Sequence, residues 1–139
     1  MRKLILLIVV LTTFLRGGSQ TTNEPISLSV KPNILKLSEL PETVEVTMTN
    51  NTQETISAGL HYWIEHYEIN EWKKVSPEQT FDDIGYNFSP SVFYTYEKNL
   101  FTEEIDYKIG RYRIGKYYLT SDDQKAKEGF NVYAEFEIK

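Results

Sequence analysis

The 139-residue sequence contains no cysteine and only two histidines. Without a thiol there is no disulfide framework, no thiolate metal site, no cysteine nucleophile and no thioether-linked lipid. Two histidines leave little material for metal or acid–base chemistry. Positive charge is also scarce, with 15 Lys and Arg against 20 Asp and Glu for a net charge of −5. That balance argues against nucleic acid and anionic lipid as partners, because both need a basic face. Sustained helical periodicity, internal repeats and low-complexity runs are missing too. What is plentiful is aromatic residues, with ten Tyr, seven Phe and two Trp. Hydrophobic residues at 40% and charged residues at 25% suit one ordinary globular domain.

The first nineteen residues read as an address. Met1-Arg2-Lys3 is a short basic start, Leu4 to Leu11 is apolar, and Gly17, Gly18 and Ser19 are small. The order matches an export signal cleaved near Ser19, and the apolar stretch is short for a membrane span. Leu15 to Ser19 resembles a lipobox in which Gly18 stands where the acylated cysteine would be, so no lipid anchor is expected. Removing residues 1–19 leaves 12 basic against 20 acidic residues, a net charge of −8 over 120 residues. The expected organisation is an export signal over 1–19, a polar linker over 20–25 and one domain over 26–139.

The rest alternates with a period of two. Ile26, Leu28 and Val30 alternate with polar residues until Pro32 stops the run, and Val44, Val46 and Met48 do the same before the Asn50-Asn51-Thr52 turn. In Ser57 to Ile69, Tyr62 and Ile64 share one face while His61, Trp63, Glu65 and Tyr67 share the other. Trp72 to Val75 continues as a short strand, and a further short strand is expected around Tyr86. Val92 to Leu100 carries Tyr94 and Tyr96 on one face. In Gly110 to Leu119 the apolar residues change parity, Tyr112 and Ile114 against Tyr117 and Leu119, which predicts a bulge at Gly115. Phe130 to Ile138 is the cleanest alternation of all. Ser38 to Leu40 and Ser121 to Gly129 have room for single helical turns. About seven short strands separated by turns predict an all-β fold, an antiparallel β-sandwich. Its expected core includes Val44, Val46, Met48, Tyr62, Ile64, Tyr112, Ile114, Val132, Ala134 and Phe136.

Three local patterns carry a resemblance: the Val44 to Thr52 strand with its Asn-rich turn, Trp72 after a Tyr- and Ile-rich strand, and Gly110-Arg111-Tyr112 opening another strand. Together they resemble the bacterial Ig-like domains of exported proteins and lipoproteins, over roughly Ile26 to Lys139. The resemblance implies an immunoglobulin-like sandwich, with Gly110 and Tyr112 forming a tyrosine corner in which the phenol bonds the backbone of the preceding loop. Pro90-Ser91 stands where such families usually place Pro-Gly. No catalytic residue is implied, because the fold hosts many roles.

Candidate chemistry in the residues is sparse. His61 and His66 are five apart, which on a strand puts them on opposite faces. Asp82-Asp83 and Asp122-Asp123 lack the alternating spacing of a calcium loop. Glu103, Glu104 and Asp106 form an acidic cluster before Tyr107. Asn50 and Asn87 lie in N-x-Ser/Thr sequons. Neither a Gly-x-Ser-x-Gly elbow nor a Gly-rich phosphate loop occurs. No metal, no cofactor and no catalytic residue is expected.

The Tyr surplus is the compositional sign of binding, and Trp63, Tyr67, Tyr94, Tyr96 and Tyr117 are the candidate binding aromatics. The structural alternative is cross-strand aromatic pairing. The expected function is that of an exported, monomeric, non-catalytic binding or structural module of the bacterial cell envelope, with an envelope protein or a glycan as partner. An Ig-like protease inhibitor is the alternative, of similar size and strand pattern to chagasin-type proteins, using loops 50–55, 81–89 and 121–129. An enzyme would need two carboxylates facing across a cleft.

Overall fold

A computed structural model describes residues 24–81, 85–120 and 129–139. Ten strands occur among these residues: β1 (Ile26–Lys31), β2 (Ile34–Leu35), β3 (Thr43–Asn50), β4 (Ile56–Ala58), β5 (Trp63–Glu68), β6 (Glu71–Lys74), β7 (Tyr86–Phe88), β8 (Phe93–Asn99), β9 (Gly110–Thr120) and β10 (Phe130–Ile138). A single 3-10 turn covers Leu37–Glu39. The expected helical turn after Ser121 and the acidic pairs Asp82-Asp83 and Asp122-Asp123 fall in or beside segments outside the described residues, so the structure does not place them.

Two sheets face each other. The smaller runs β1-β3-β8, antiparallel throughout, with Leu28 opposite Met48 and Val46 opposite Tyr96. In the larger, β10 lies along almost the whole of β9, with Ala134 opposite Ile114, while β2 adds to β10 in parallel. The other edge of β9 is shared by two strand pairs. One is β4 with β7, near Thr120; the other is β5 with β6, near Tyr112. The inward positions of both sheets make one core, and every expected core residue from Val44 to Phe136 is buried in it. Period-two alternation delivers this because each strand has one wet and one dry face. The result is an all-β, immunoglobulin-like sandwich.

Two expectations are corrected. The Ser57 to Ile69 run is not one strand. Pairing with β9 stops at Ala58–Tyr118 and resumes at Trp63–Gly115, so residues 59–62 face only Lys116 and Tyr117. The excess lies in this segment and not at Gly115, where β9 pairs with β10 without a break. Consequently Tyr117 faces outward, and the inward position after Ile114 belongs to Lys116, which is completely buried. A lysine in a core position violates the usual rule that ammonium groups stay wet, whereas the expected bulge would have let Tyr117 and Leu119 join Tyr112 and Ile114 in the core. Gly115 has a different task. A Cβ there would lie 2.3 Å from the Trp63 ring, so only glycine admits that side chain.

Two polar clamps close the sandwich. The buried Tyr112 hydroxyl donates to the Lys108 carbonyl at 3.1 Å and accepts from the Lys108 amide at 3.0 Å, the geometry of a tyrosine corner. Its neighbour Tyr107 donates to the Leu100 carbonyl at 2.7 Å, so both ends of the same loop are pinned. At the other end, Asn50 is a buried hub and not an open turn. Its amide donates to the carbonyls of Glu54, Phe88 and Ser89, and its Oδ1 accepts from the amide and hydroxyl of Thr52.

Tyr112→Phe leaves the Lys108 groups without their phenol and is expected to cost about 1 kcal/mol or more. Asn50→Ala strands several buried carbonyls and should cost more, about 2–4 kcal/mol. Urea unfolding of both variants checks the size and the order of the two losses.

Candidate functional site

The five candidate aromatics separate into two regions. Trp63, Tyr67 and Tyr117 point outward from the larger sheet, while Tyr94 and Tyr96 lie on the inward side of β8 at the sandwich's flank.

On the outer face, aromatic and cationic side chains interleave. The Arg111 guanidinium lies 4.8 Å from the Tyr67 ring and 5.5 Å from Trp72. Arg113 lies 4.4 Å from Trp72 and 3.7 Å from Tyr133, whose ring in turn meets Trp63 edge-on. Cross-strand register explains the ladder: Glu65 and Glu135 both sit opposite Arg113, which donates to Glu65, while Arg111 reaches Glu135 at 2.9 Å. Guanidinium planes therefore occupy ring faces that a sugar would need. Tyr117 is exposed but isolated, with its ring over Gly129, where a Cβ would sit 2.0 Å away. This surface is largely satisfied within itself. Sequence reasoning left Trp72, Tyr133 and the two arginines out of the candidate set, because their pairing depends on register.

The flank differs. β8 ends the smaller sheet, so among the described residues its second edge is unpaired. Leu100 donates its amide to the Glu42 carbonyl, which puts the even-numbered residues of this stretch in the ladder to β3. The odd-numbered residues, Phe93, Thr95, Glu97 and Asn99, therefore direct their backbone N–H and C=O groups to the free edge. Asn99's carbonyl is already capped by the Tyr62 hydroxyl at 3.0 Å. Phe93 is 65% exposed, and Tyr94 and Tyr86 are also open to solvent. Tyr94 packs edge-on against Phe88 at 4.7 Å and leans on Tyr96 at 6.5 Å. Burial raises the Tyr96 phenol's pKa, and the neighbouring phenols Tyr94 and Tyr86 add to the rise.

Beneath this layer lie two lysines. Lys116 donates to the carbonyls of Gly59 at 2.9 Å and His61 at 3.2 Å, and Lys98 donates to the intervening Leu60 carbonyl at 3.3 Å. Three carbonyls of the unpaired 59–62 segment thus regain the acceptor bonds that the sheet would have given them. Tyr96 lies between the ammonium groups, 4.9 Å from Lys98 and 5.4 Å from Lys116, and Tyr62 covers Lys98 at 4.8 Å. No carboxylate among the described residues meets either lysine. Sequence parity carried the signal: Lys98 follows Tyr94 and Tyr96, and Lys116 follows Tyr112 and Ile114, each two residues on.

The remaining candidates do not converge. His66 stacks on Tyr112 at 4.3 Å, whereas His61 packs against Phe81 and Trp63. Burial lowers the His61 pKa, with the charges of Lys74 and Lys116 contributing. Glu103 and Glu104 line an open hollow with Glu42 and Asn99. No group of three His, Cys, Asp or Glu side chains suited to a metal occurs among the described residues. Loop 50–55 lies at the end of the sandwich where β9 stops and β10 starts, and the Asn50 side chain there bonds the carbonyls of Phe88 and Ser89, which end the 81–89 segment. Phe81, at the other end of that segment, packs against Tyr62. Residues 82–84 and 121–128 of the inhibitor alternative's loops lie outside the described residues.

Burial lowers the Lys116 pKa from 10.5 to about 8, with repulsion from Lys98 second. Between those values the folded state binds fewer protons than the unfolded one, so stability should rise as pH climbs through about 8. Buried Tyr62, raised from 10.0 to about 12 by burial, acts oppositely. The unfolded phenol ionises first, so stability should fall above about pH 10. Urea midpoints measured from pH 7 to 11 should pass through a maximum, and Lys116→Met should flatten the rising limb to the part that Lys98, also lowered by burial, contributes.

No curated protein matches the chain. A family model described as a bacterial Ig-like domain matches residues 23–137. That match covers both sheets, both clamps and the flank, and the chain belongs to the bacterial Ig-like domain family.

Proposed function

We propose that the protein is an exported, non-catalytic module of the bacterial cell envelope that binds an extended segment of a partner protein along β8. Family membership supports a structural or binding module. The basic, apolar and small residues of the first nineteen positions support export. The observation that carries the binding reading is the second edge of β8, unpaired among the described residues, beside exposed Phe93, Tyr94 and Tyr86. An unpaired strand edge offers alternating donors and acceptors that only another strand can match in full, while adjacent aromatic rings supply apolar area. The outer face is the weaker surface for a ligand, because its ring faces already hold arginines. Exported protein should be recovered outside the cytoplasm with its amino terminus near Gln20.

Thr95 tests the edge because its backbone N–H points away from β3. Thr95→Pro removes that donor while sparing the ladder to β3, and Thr95→Val controls for loss of the side-chain bond to Thr47. In cross-linking pull-downs from envelope fractions, the partner held by wild-type protein should be retained by Thr95→Val and reduced at least tenfold by Thr95→Pro. Equal recovery with all three would remove β8 from the binding site.

A further inference from the structure

We propose that the strand accepted by β8 is acidic, carrying an Asp or Glu on its inward face opposite Lys98; this rests on the edge-binding reading above. The argument starts from register. Phe93, Thr95 and Glu97 would hydrogen-bond the incoming strand, so residues opposite Tyr94, Tyr96 and Lys98 would form the non-hydrogen-bonded pairs. Those pairs bring side chains closest, with Cβ atoms about 4.5–5.5 Å apart on the same face. The residue facing Lys98 would therefore enter the sandwich beside its ammonium group.

Among the described residues no anion compensates the charge there. Lys98 is only 6% exposed, makes one 3.3 Å bond to the Leu60 carbonyl and stands near the equally buried Lys116. The titratable groups around the pair are Lys98 and the Tyr96 and Tyr94 phenols from β8, Lys116 from β9, Tyr86 from β7, and Tyr62 and His61 from the segment before β5. None of these carries negative charge at neutral pH, and Glu97 points to the opposite side of β8. Burial lowers the Lys98 pKa, as it must for an ammonium lacking an anion. A carboxylate arriving with the partner strand would supply the missing charge in a site that the strand itself desolvates.

The same lysine excludes other strands. An apolar residue opposite Lys98 would bury the ammonium further with nothing in return, which is how inward charges protect sheet edges. Lys98 thus selects by penalty as well as by attraction.

The test uses the full chain, isotope-labelled for NMR, and two synthetic heptapeptides. The first is acetyl-Thr-Glu-Thr-Val-Thr-Val-Thr-amide, which in antiparallel register sets its Glu against Lys98 and its Val residues against Tyr96 and Tyr94. The second replaces that Glu with Gln. The expected result is that amides of Phe93, Thr95 and Glu97 shift with both peptides, that the Glu peptide binds at least fivefold tighter at low salt, and that Lys98→Met erases the difference. Equal affinity of the two peptides at β8 would overturn the acidic preference and leave the edge reading standing. Shifts at β8 with neither peptide would overturn both. A preference that survives in Lys98→Met would take the role away from Lys98. The wild-type comparison of the two peptides decides the matter even if Lys98→Met does not fold.

Discussion

The arrangement depends on how the core accommodates the chain between β4 and β5. Residues 59–62 leave the sheet in its middle, where three successive part-buried carbonyls lose their ladder partners. Each buried, unpaired carbonyl costs about 1–3 kcal/mol, so an uncapped segment would consume much of a small domain's stability. Lys116, on the facing strand, takes two of these carbonyls, and Lys98, from the other sheet, takes the third. The ammonium groups tie the two sheets together through one short stretch of backbone. Desolvation makes this costly, as the depressed pKa of Lys116 records. The cost is offset by the three backbone carbonyls that the two ammonium groups satisfy.

From that junction the division of the aromatic residues follows. With β9 continuous against β10, its odd-numbered side chains all face outward, and Arg111 and Arg113 enter a layer of Tyr67, Trp72 and Tyr133. Gly115 occupies the next outward position, where any side chain would collide with Trp63. The outer layer is therefore a sealed mosaic of rings and guanidinium planes. On the flank the geometry is reversed. β8 has no second neighbour beyond β3 among the described residues, and its rings stay partly open. The Tyr62 hydroxyl on the Asn99 carbonyl closes one end of that edge and defines where an added strand would stop.

Much of the fold was legible because period-two alternation is a direct imprint of sheet burial. β1, β3 and β10 lie where Ile26 to Val30, Val44 to Met48 and Phe130 to Ile138 alternate. Parity also separated Tyr62 and Ile64 from Trp63 and Tyr67. It failed where charge and face conflict. The reading that Tyr117 and Leu119 belong inside placed a bulge at Gly115, while the structure keeps the register and buries Lys116. Asn50 was read as a turn residue because Asn tolerates turn conformations, yet its amide reaches Phe88, far away in sequence. The arginine ladder was illegible for the same reason, since which ring meets which cation depends on strand pairing that no local pattern records. The candidate site was half visible: Tyr94 and Tyr96 stood out by composition, whereas the open edge that gives them meaning is a property of sheet order.

The two lysines also limit what the domain can do. A sandwich with an exposed seven-residue edge strand invites indiscriminate pairing with other chains. Bulges, prolines and short strands are the usual protections, and β8 has none of them along its length. Its protection is instead chemical, a positive charge held on the inward side by carbonyl oxygens and tyrosine faces. Those partners are dipoles and quadrupoles, strong enough to hold the ammonium in place but too weak to neutralise it. The edge is consequently hostile to an apolar strand without being closed to every strand. On the strand-binding reading proposed above, such an interface would gain its selectivity from a cost already present in the free protein, so discrimination between partners would need no conformational change.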